Sequence, residues 1–173
     1  MTMKAILNEE QSCQAPLTSF DWNKSDPNIL GTCSIDTTCT IWDIQEQKIK
    51  AQLIAHDKEV FDIGFANDCN TFATTGADGS IRHFDIRSLQ HSSILYESSS
   101  NQSDPRALLR LEWNNKNPYY IATFEIDSSN VMIIDARVPM VPVCTLEGHS
   151  SYVNTFSWAP HSNCHICTAG DDR

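Results

Sequence analysis

A chain of 173 residues with 40% hydrophobic and 20% charged residues can bury a sizeable core in an ordinary globular domain. Twelve basic against twenty-two acidic side chains leave a net charge of −10, a field that repels phosphate and argues against direct contact with nucleic acid. No apolar run nears the ~18 residues of a membrane span, MTMKAILNEEQ lacks the layout of a secretory signal, and seven cysteines without such a signal point to reduced thiols in the cytoplasm and nucleus.

Along the chain, the first element is an apolar residue, two others, an apolar residue, one other, then an aromatic: Leu17, Phe20, Trp22. A second follows, with a bulky residue, a small residue and a Thr, then an Asp four residues on: Leu30-Gly31-Thr32 and Asp36. A third is Ile41-Trp42-Asp43-Ile44. The same order returns as Val60/Ile63/Phe65, Phe72-Ala73-Thr74 with Asp78, and His83-Phe84-Asp85-Ile86. It returns again as Leu108/Leu111/Trp113, Ile121-Ala122-Thr123 with Asp127, and Ile133-Ile134-Asp135-Ala136. A last copy has Val153/Phe156/Trp158 and Ile166-Cys167-Thr168 with Asp172, and the sequence stops before its third element. The copies start 43, 48 and 45 residues apart.

Each element is short, rich in Ile, Val, Thr, Phe and Trp, and bounded by turn clusters such as NKSDPN and ADGS. Helical spacing of apolar residues is not sustained anywhere, so an all-β chain is expected. Several strands in a period of ~40–45 residues are the mark of a β-propeller blade. The repeats are placed at about 16–57, 58–106, 107–149 and 150–173.

With Trp42-Asp43 and Gly148-His149 in these places, the chain resembles the WD-repeat family over roughly Pro16 to Arg173. The resemblance implies a buried network that joins a His, a strand hydroxyl, a turn Asp and the Trp. His56 precedes Asp78 by 22 residues and His149 precedes Asp172 by 23. Thr74 and Thr168 are the matching hydroxyls. A turn carboxylate needs such donors, because burying it without them is costly. The first repeat has Thr32, Asp36 and Trp42 but no upstream His. The second has Phe84 in the Trp place. The third has Ile134 there, no upstream His, and an extra residue after Asp127.

A His–Asp pair that recurs at one repeat position is structural rather than catalytic, and no phosphate loop or nucleophile elbow is present. No enzyme activity and no cofactor are expected. HSNCHIC offers His161, Cys164, His165 and Cys167 for zinc. Cys167, however, sits in the small-residue place of Gly31, Ala73 and Ala122, and is expected to pack as a small apolar group. The polar stretch YESSSNQSDP, Tyr96 to Pro105, is read as a surface loop with a phosphosite as the alternative. Arg87 and Arg137 each follow a third-element Asp by two residues. They are candidate anchors on one propeller face, with Asp85 beside the first, because Arg suits forked carboxylate contacts. Phe72 to Arg87 resembles the sixteen-residue box of WD proteins that dock on the adaptor of cullin-4 ligases, with Asp78, Asp85 and Arg87 in the matching places. The copy ending at Arg137 departs from it, with Ile134 for the aromatic and Ser128 in the Asp place.

Three stretches carry a narrower likeness: APLTSFDWNKSDPNILGTCSIDTTCTIWDI, QLIAHDKEVFDI and WAPHSNCHICTAGDD. They resemble the anthocyanin-regulator and Transparent Testa Glabra-like WD-repeat proteins, whose animal members are cullin-4-associated factors and scaffolds of dual-specificity tyrosine-regulated kinases. The resemblance implies a non-catalytic scaffold for kinases and transcription factors, or a substrate receptor of a cullin-4 ligase. A propeller enzyme and a chromatin or RNA reader are more remote alternatives. Since such propellers have seven blades, the chain is expected to be a fragment of three and a half.

Overall fold

The computed structural model describes residues 6–7, 15–98 and 105–172. Among these residues fourteen strands follow one another without a helix. Strands β1 (Leu17–Trp22), β2 (Ile29–Ser34), β3 (Thr38–Asp43) and β4 (Lys48–Ile54) make one antiparallel sheet in chain order. Strands β5 (Val60–Phe65), β6 (Thr71–Gly76), β7 (Ser80–Asp85) and β8 (Ser92–Glu97) make a second. Strands β9 (Leu108–Trp113), β10 (Tyr120–Glu125), β11 (Val131–Asp135) and β12 (Pro142–Leu146) make a third. The last sheet holds β13 (Val153–Trp158) and β14 (Ile166–Gly170). The first strands of neighbouring sheets lie against each other, β1 on β5, β5 on β9 and β9 on β13. This is the arrangement of propeller blades, three of four strands and one of two.

The core lies between blades. Ile29, Cys33, Cys39, Ile41, Phe65 and Phe72 fill the first junction. Leu108, Trp113, Ile121 and Ile134 pack with Ala73 and Ile81 in the second. Phe124, Val131, Phe156 and Trp158 fill the third. Strands β2 and β6 are buried along nearly their whole length, since each is flanked by two strands of its own sheet and lies against the inner strand of the next blade. Close approach explains the small-residue place. A Cβ on Gly31 would stand 2.7 Å from Ile63 Cδ1, and Ala73 and Ala122 are fully buried. Cys167 departs from the expectation. It is exposed, because β14 has β13 as its only strand partner and no sheet packs over it among the described residues.

One irregularity recurs in every blade. The first strand skips a residue against the second, at Leu17/Ser19, Val60/Asp62 and Val153/Thr155, and in blade three where Leu108 and Arg110 face Glu125 and Phe124. A bulge at a fixed place bends and twists each inner strand alike. The indoles then tie blade to blade. Trp113 Nε1 donates to Gly64 O at 3.0 Å and Trp158 Nε1 to Glu112 O at 3.1 Å. Trp22, with no blade before it in the described structure, donates to Pro27 O of its own blade at 2.7 Å. Leu17, Phe20 and Trp22 are exposed along the same strand.

Candidate functional site

The antiparallel order puts two kinds of connection at opposite ends of the blades. One face carries the β2–β3, β6–β7 and β10–β11 turns together with the β4–β5 and β12–β13 connections between blades. The other carries the connections β1–β2, β3–β4 and their equivalents.

On the first face, His56 leaves the β4–β5 connection and enters blade two. Its Nδ1 is 2.9 Å from Asp78 Oδ1, and its Nε2 is 2.8 Å from Thr74 Oγ1. Ser80 adds a backbone N–H and a hydroxyl, both donated to Asp78 Oδ1, at 3.1 and 2.8 Å. Burial alone would raise the Asp78 pKa, but the hydrogen bonds and charge of His56, with those of Ser80, hold it well below the usual carboxylate range. The turn needs its glycines. A Cβ on Gly76 would meet Glu59 O and the His56 ring at 2.9 Å, and Gly79 has φ +74°. The arrangement returns in the last blade, where His149 Nδ1 is 2.7 Å from Asp172 Oδ1 and its Nε2 is 2.8 Å from Thr168 Oγ1. There Gly170 takes the place of Gly76, and its Cβ would lie 3.1 Å from the His149 ring.

Blade one keeps part of the network. Trp42 Nε1 donates to Thr32 Oγ1 at 2.9 Å, and Asp36 accepts from the N–H and hydroxyl of Thr38 at 3.1 and 2.6 Å. In blade three the turn departs from the Thr-to-Asp spacing of the repeat and follows the box-like placement, with Ser128 in the Asp place. Asp127 is exposed with φ 55°, and Ser128 caps the turn instead, its Oγ accepting from Asn130 N at 3.1 Å. Ser128 thus holds the place that Asp36 and Asp78 hold elsewhere.

An Asp–His–hydroxyl line has the form of a nucleophile triad. Here His56 and Thr74 are both fully buried, so no substrate carbonyl can reach the hydroxyl. The line ties an inter-blade connection to a blade. Near the β13–β14 connection, His165 Nδ1 is 2.6 Å from Ser162 Oγ and 3.5 Å from Cys164 Sγ. Among the described residues no three His, Cys, Asp or Glu side chains gather to hold a metal ion. Most of the 96–105 loop lies outside the described residues.

On the second face, Arg87 and Arg137 are placed alike. Arg87 donates its backbone N–H and Nε to Asp85 Oδ1, both at 2.9 Å, and Nη2 to Oδ2 at 2.5 Å. Arg137 does the same to Asp135 at 2.9, 3.0 and 2.7 Å. The fork of Arg87 draws the Asp85 pKa down to about 2, and that of Arg137 lowers Asp135. The two guanidinium side chains remain 69% and 55% exposed. Arg137 also lies over the Tyr119 ring, 4.4 Å from its centroid.

Two sets of residues escaped the sequence reading. Asp21, Asp62 and Glu112 sit on inner strands and accept backbone N–H groups from the next blade, from Phe65, Leu111 and Trp158 at 2.8, 2.9 and 3.1 Å. Burial raises the pKa of all three. Asn23, Asn67 and Asn114 reach forward with Nδ2 to Cys69 O, Asn114 O and Asn163 O at 3.1, 2.9 and 3.1 Å. The available signal was an Asn one or two residues past the aromatic that ends each of the first three inner strands.

Repeated four-stranded blades held by these latches define a WD-repeat propeller, and the WD40 family model (WD domain, G-beta repeat) matches residues 7–43, 47–85 and 140–173. The chain belongs to that family. It is 58% identical over 159 residues to the DDB1- and CUL4-associated factor 7 homolog of Dictyostelium discoideum, covering 92% of this chain and 48% of the relative. It is 49% identical to an uncharacterized WD repeat-containing protein of Schizosaccharomyces pombe, with coverage of 91% and 39%. A WD repeat-containing protein of Saccharomyces cerevisiae is 45% identical, with coverage of 91% and 33%. The chain therefore spans half or less of the length of these relatives.

Proposed function

We propose that this chain belongs to a non-catalytic adaptor that assembles kinases, of the dual-specificity tyrosine-regulated class, with transcription regulators. It acts in the cytoplasm and nucleus without touching nucleic acid or membrane. The observation that supports an adaptor is the use of the His–Asp groups. They are consumed in fastening connections to blades, and His56 and Thr74 lie wholly out of reach of a substrate. The likeness of three stretches to the anthocyanin regulators and their animal counterparts supports the choice of kinases and transcription factors.

A second reading, substrate receptor of a cullin-4 ligase, is favoured by a specific pair of observations. Arg87 and Arg137 present matching forks on one face, and the Dictyostelium relative is named for association with DDB1 and CUL4. Affinity capture from cell extract, comparing wild type with Arg87→Ala plus Arg137→Ala, separates the two. Selective loss of the cullin-4 adaptor in the double variant supports the receptor. Kinase capture that is unchanged in the variant supports scaffolding through another face. Capture of neither class overturns both.

A further inference from the structure

On the second face, a groove of about 380 Å³ runs between blades two and three. Its walls include Ala66, His83, Trp113, Pro118 and Ala136. The interior is uncharged in character. Trp113 has spent its indole N–H on Gly64 O. His83 stands edge-on to Trp113 with centroids 6.0 Å apart, and burial lowers its pKa against the opposing pull of Asp68 and Asp85. The groove is large enough for one aliphatic or aromatic side chain with its flanking backbone.

The rim is charged and asymmetric. Asp68, in the β5–β6 connection, stands on the blade-two side, and Arg137, in the β11–β12 connection, stands on the blade-three side. Both are held in place by their own neighbours. Asp68 Oδ1 accepts the N–H and hydroxyl of Thr71 at 3.2 and 2.6 Å, Oδ2 takes no hydrogen bond among the described residues, and Arg87 and His83 stand within electrostatic reach of the carboxylate. Arg137 gives Nε and Nη2 to Asp135 and stacks on Tyr119, leaving Nη1 without a hydrogen bond among the described residues. A bound segment gains from rim charges that are already ordered, since less freedom is lost on contact.

We propose that this groove receives a short segment of a partner protein in which an apolar side chain lies between a basic and an acidic residue. The apolar group enters the groove, the carboxylate meets Arg137 Nη1 and the cation meets Asp68 Oδ2. The proposal rests on reading this chain as part of a non-catalytic protein-binding propeller, and names the chemistry of what this face grips.

The test is an NMR titration of the full chain with three blocked tripeptides, acetyl-Lys-Leu-Asp-amide, acetyl-Asp-Leu-Lys-amide and the neutral acetyl-Gln-Leu-Asn-amide. One charged order is expected to bind about two- to fivefold more tightly than the neutral peptide, as exposed charge pairs allow. The shifts should centre on the His83 ring and Arg137 Nε. Asp68→Lys, at an exposed position, should erase the preference between orders. Ala136→Phe should block all three peptides by filling the groove. Equal binding of the charged and neutral peptides, shifts centred elsewhere, or no binding overturns the proposal. Partner capture that survives Ala136→Phe while no peptide preference exists sinks the groove and leaves the adaptor standing. Peptide preference with no captured partner does the reverse.

Discussion

Asp78 carries a charge in a place that disfavours charge, and His56 and Ser80 are why it stays. Asp78→Ala leaves the His56 Nδ1 and the Ser80 hydroxyl without their acceptor. It should lower stability by ~1–3 kcal/mol, read as a fall in the urea midpoint at constant slope. Asp57, 82% exposed across from Arg82, is the control. Its removal should change stability by less than ~1 kcal/mol. The pH dependence follows from the same residue. A carboxyl whose folded pKa lies below its unfolded value of ~3.9 contributes stability at neutral pH that is lost as pH falls through the acid range. Asp21, Asp62 and Glu112 act with the opposite sign, since their raised pKa values favour the folded state as they take up protons. Asp78→Asn should therefore flatten the acid limb of an unfolding titration followed by Trp fluorescence, and an unchanged limb would remove Asp78 from the account.

The inner strand shows how one element is used differently along the chain. Trp113 and Trp158 donate across a blade junction, whereas Trp22 bonds within its own blade and is 46% exposed. Trp113→Phe should cost about 1 kcal/mol beyond its small change in apolar area, because Gly64 O loses its donor. Trp22→Phe should be close to neutral, and equal effects at the two sites would show that the junction bond is not what matters. Much of this element was legible. Leu17, Phe20 and Trp22, repeated 43 residues on, mark the strand and its face. The latch was legible too, since His56 and Asp78, 22 residues apart, return as His149 and Asp172, 23 apart. The bulge at the second position was not, because it depends on how two strands register rather than on any residue type. Nor were the bonds from Asp62 to Leu111 or from Asn114 to Asn163, which join residues 49 apart on different sheets. Asp127 misled because spacing from Thr123 matches the other copies, while the left-handed turn it makes hands the capping role to Ser128. Cys167 misled because a small residue is buried only where another sheet covers it.

At the scale of the molecule, the first strand presents an apolar stripe to solvent, with Leu17 at 64% and Phe20 at 69% exposure. Contiguous apolar surface on a sheet face drives association. Sedimentation of the 173-residue chain should show concentration-dependent oligomers that Phe20→Ser reduces, and equal profiles would mean that this strand is not the contact. Charge does not oppose this strongly, since a net −10 is screened beyond ~10 Å at ordinary salt. The latches themselves are unevenly dealt. His56 and His149 clip the connections that enter blades two and four, whereas the connection into blade three is tied by Ser98 Oγ, which donates to Glu125 Oε1 at 3.1 Å, and by Arg106 beside the same carboxylate. In a structure built of nearest-neighbour units, stability adds up link by link, and local opening starts at the weakest one. Blades that look interchangeable in outline thus differ in how firmly they are held, and blade one, which has no His latch and a neighbour on one side only among the described residues, is expected to let go first among the complete ones.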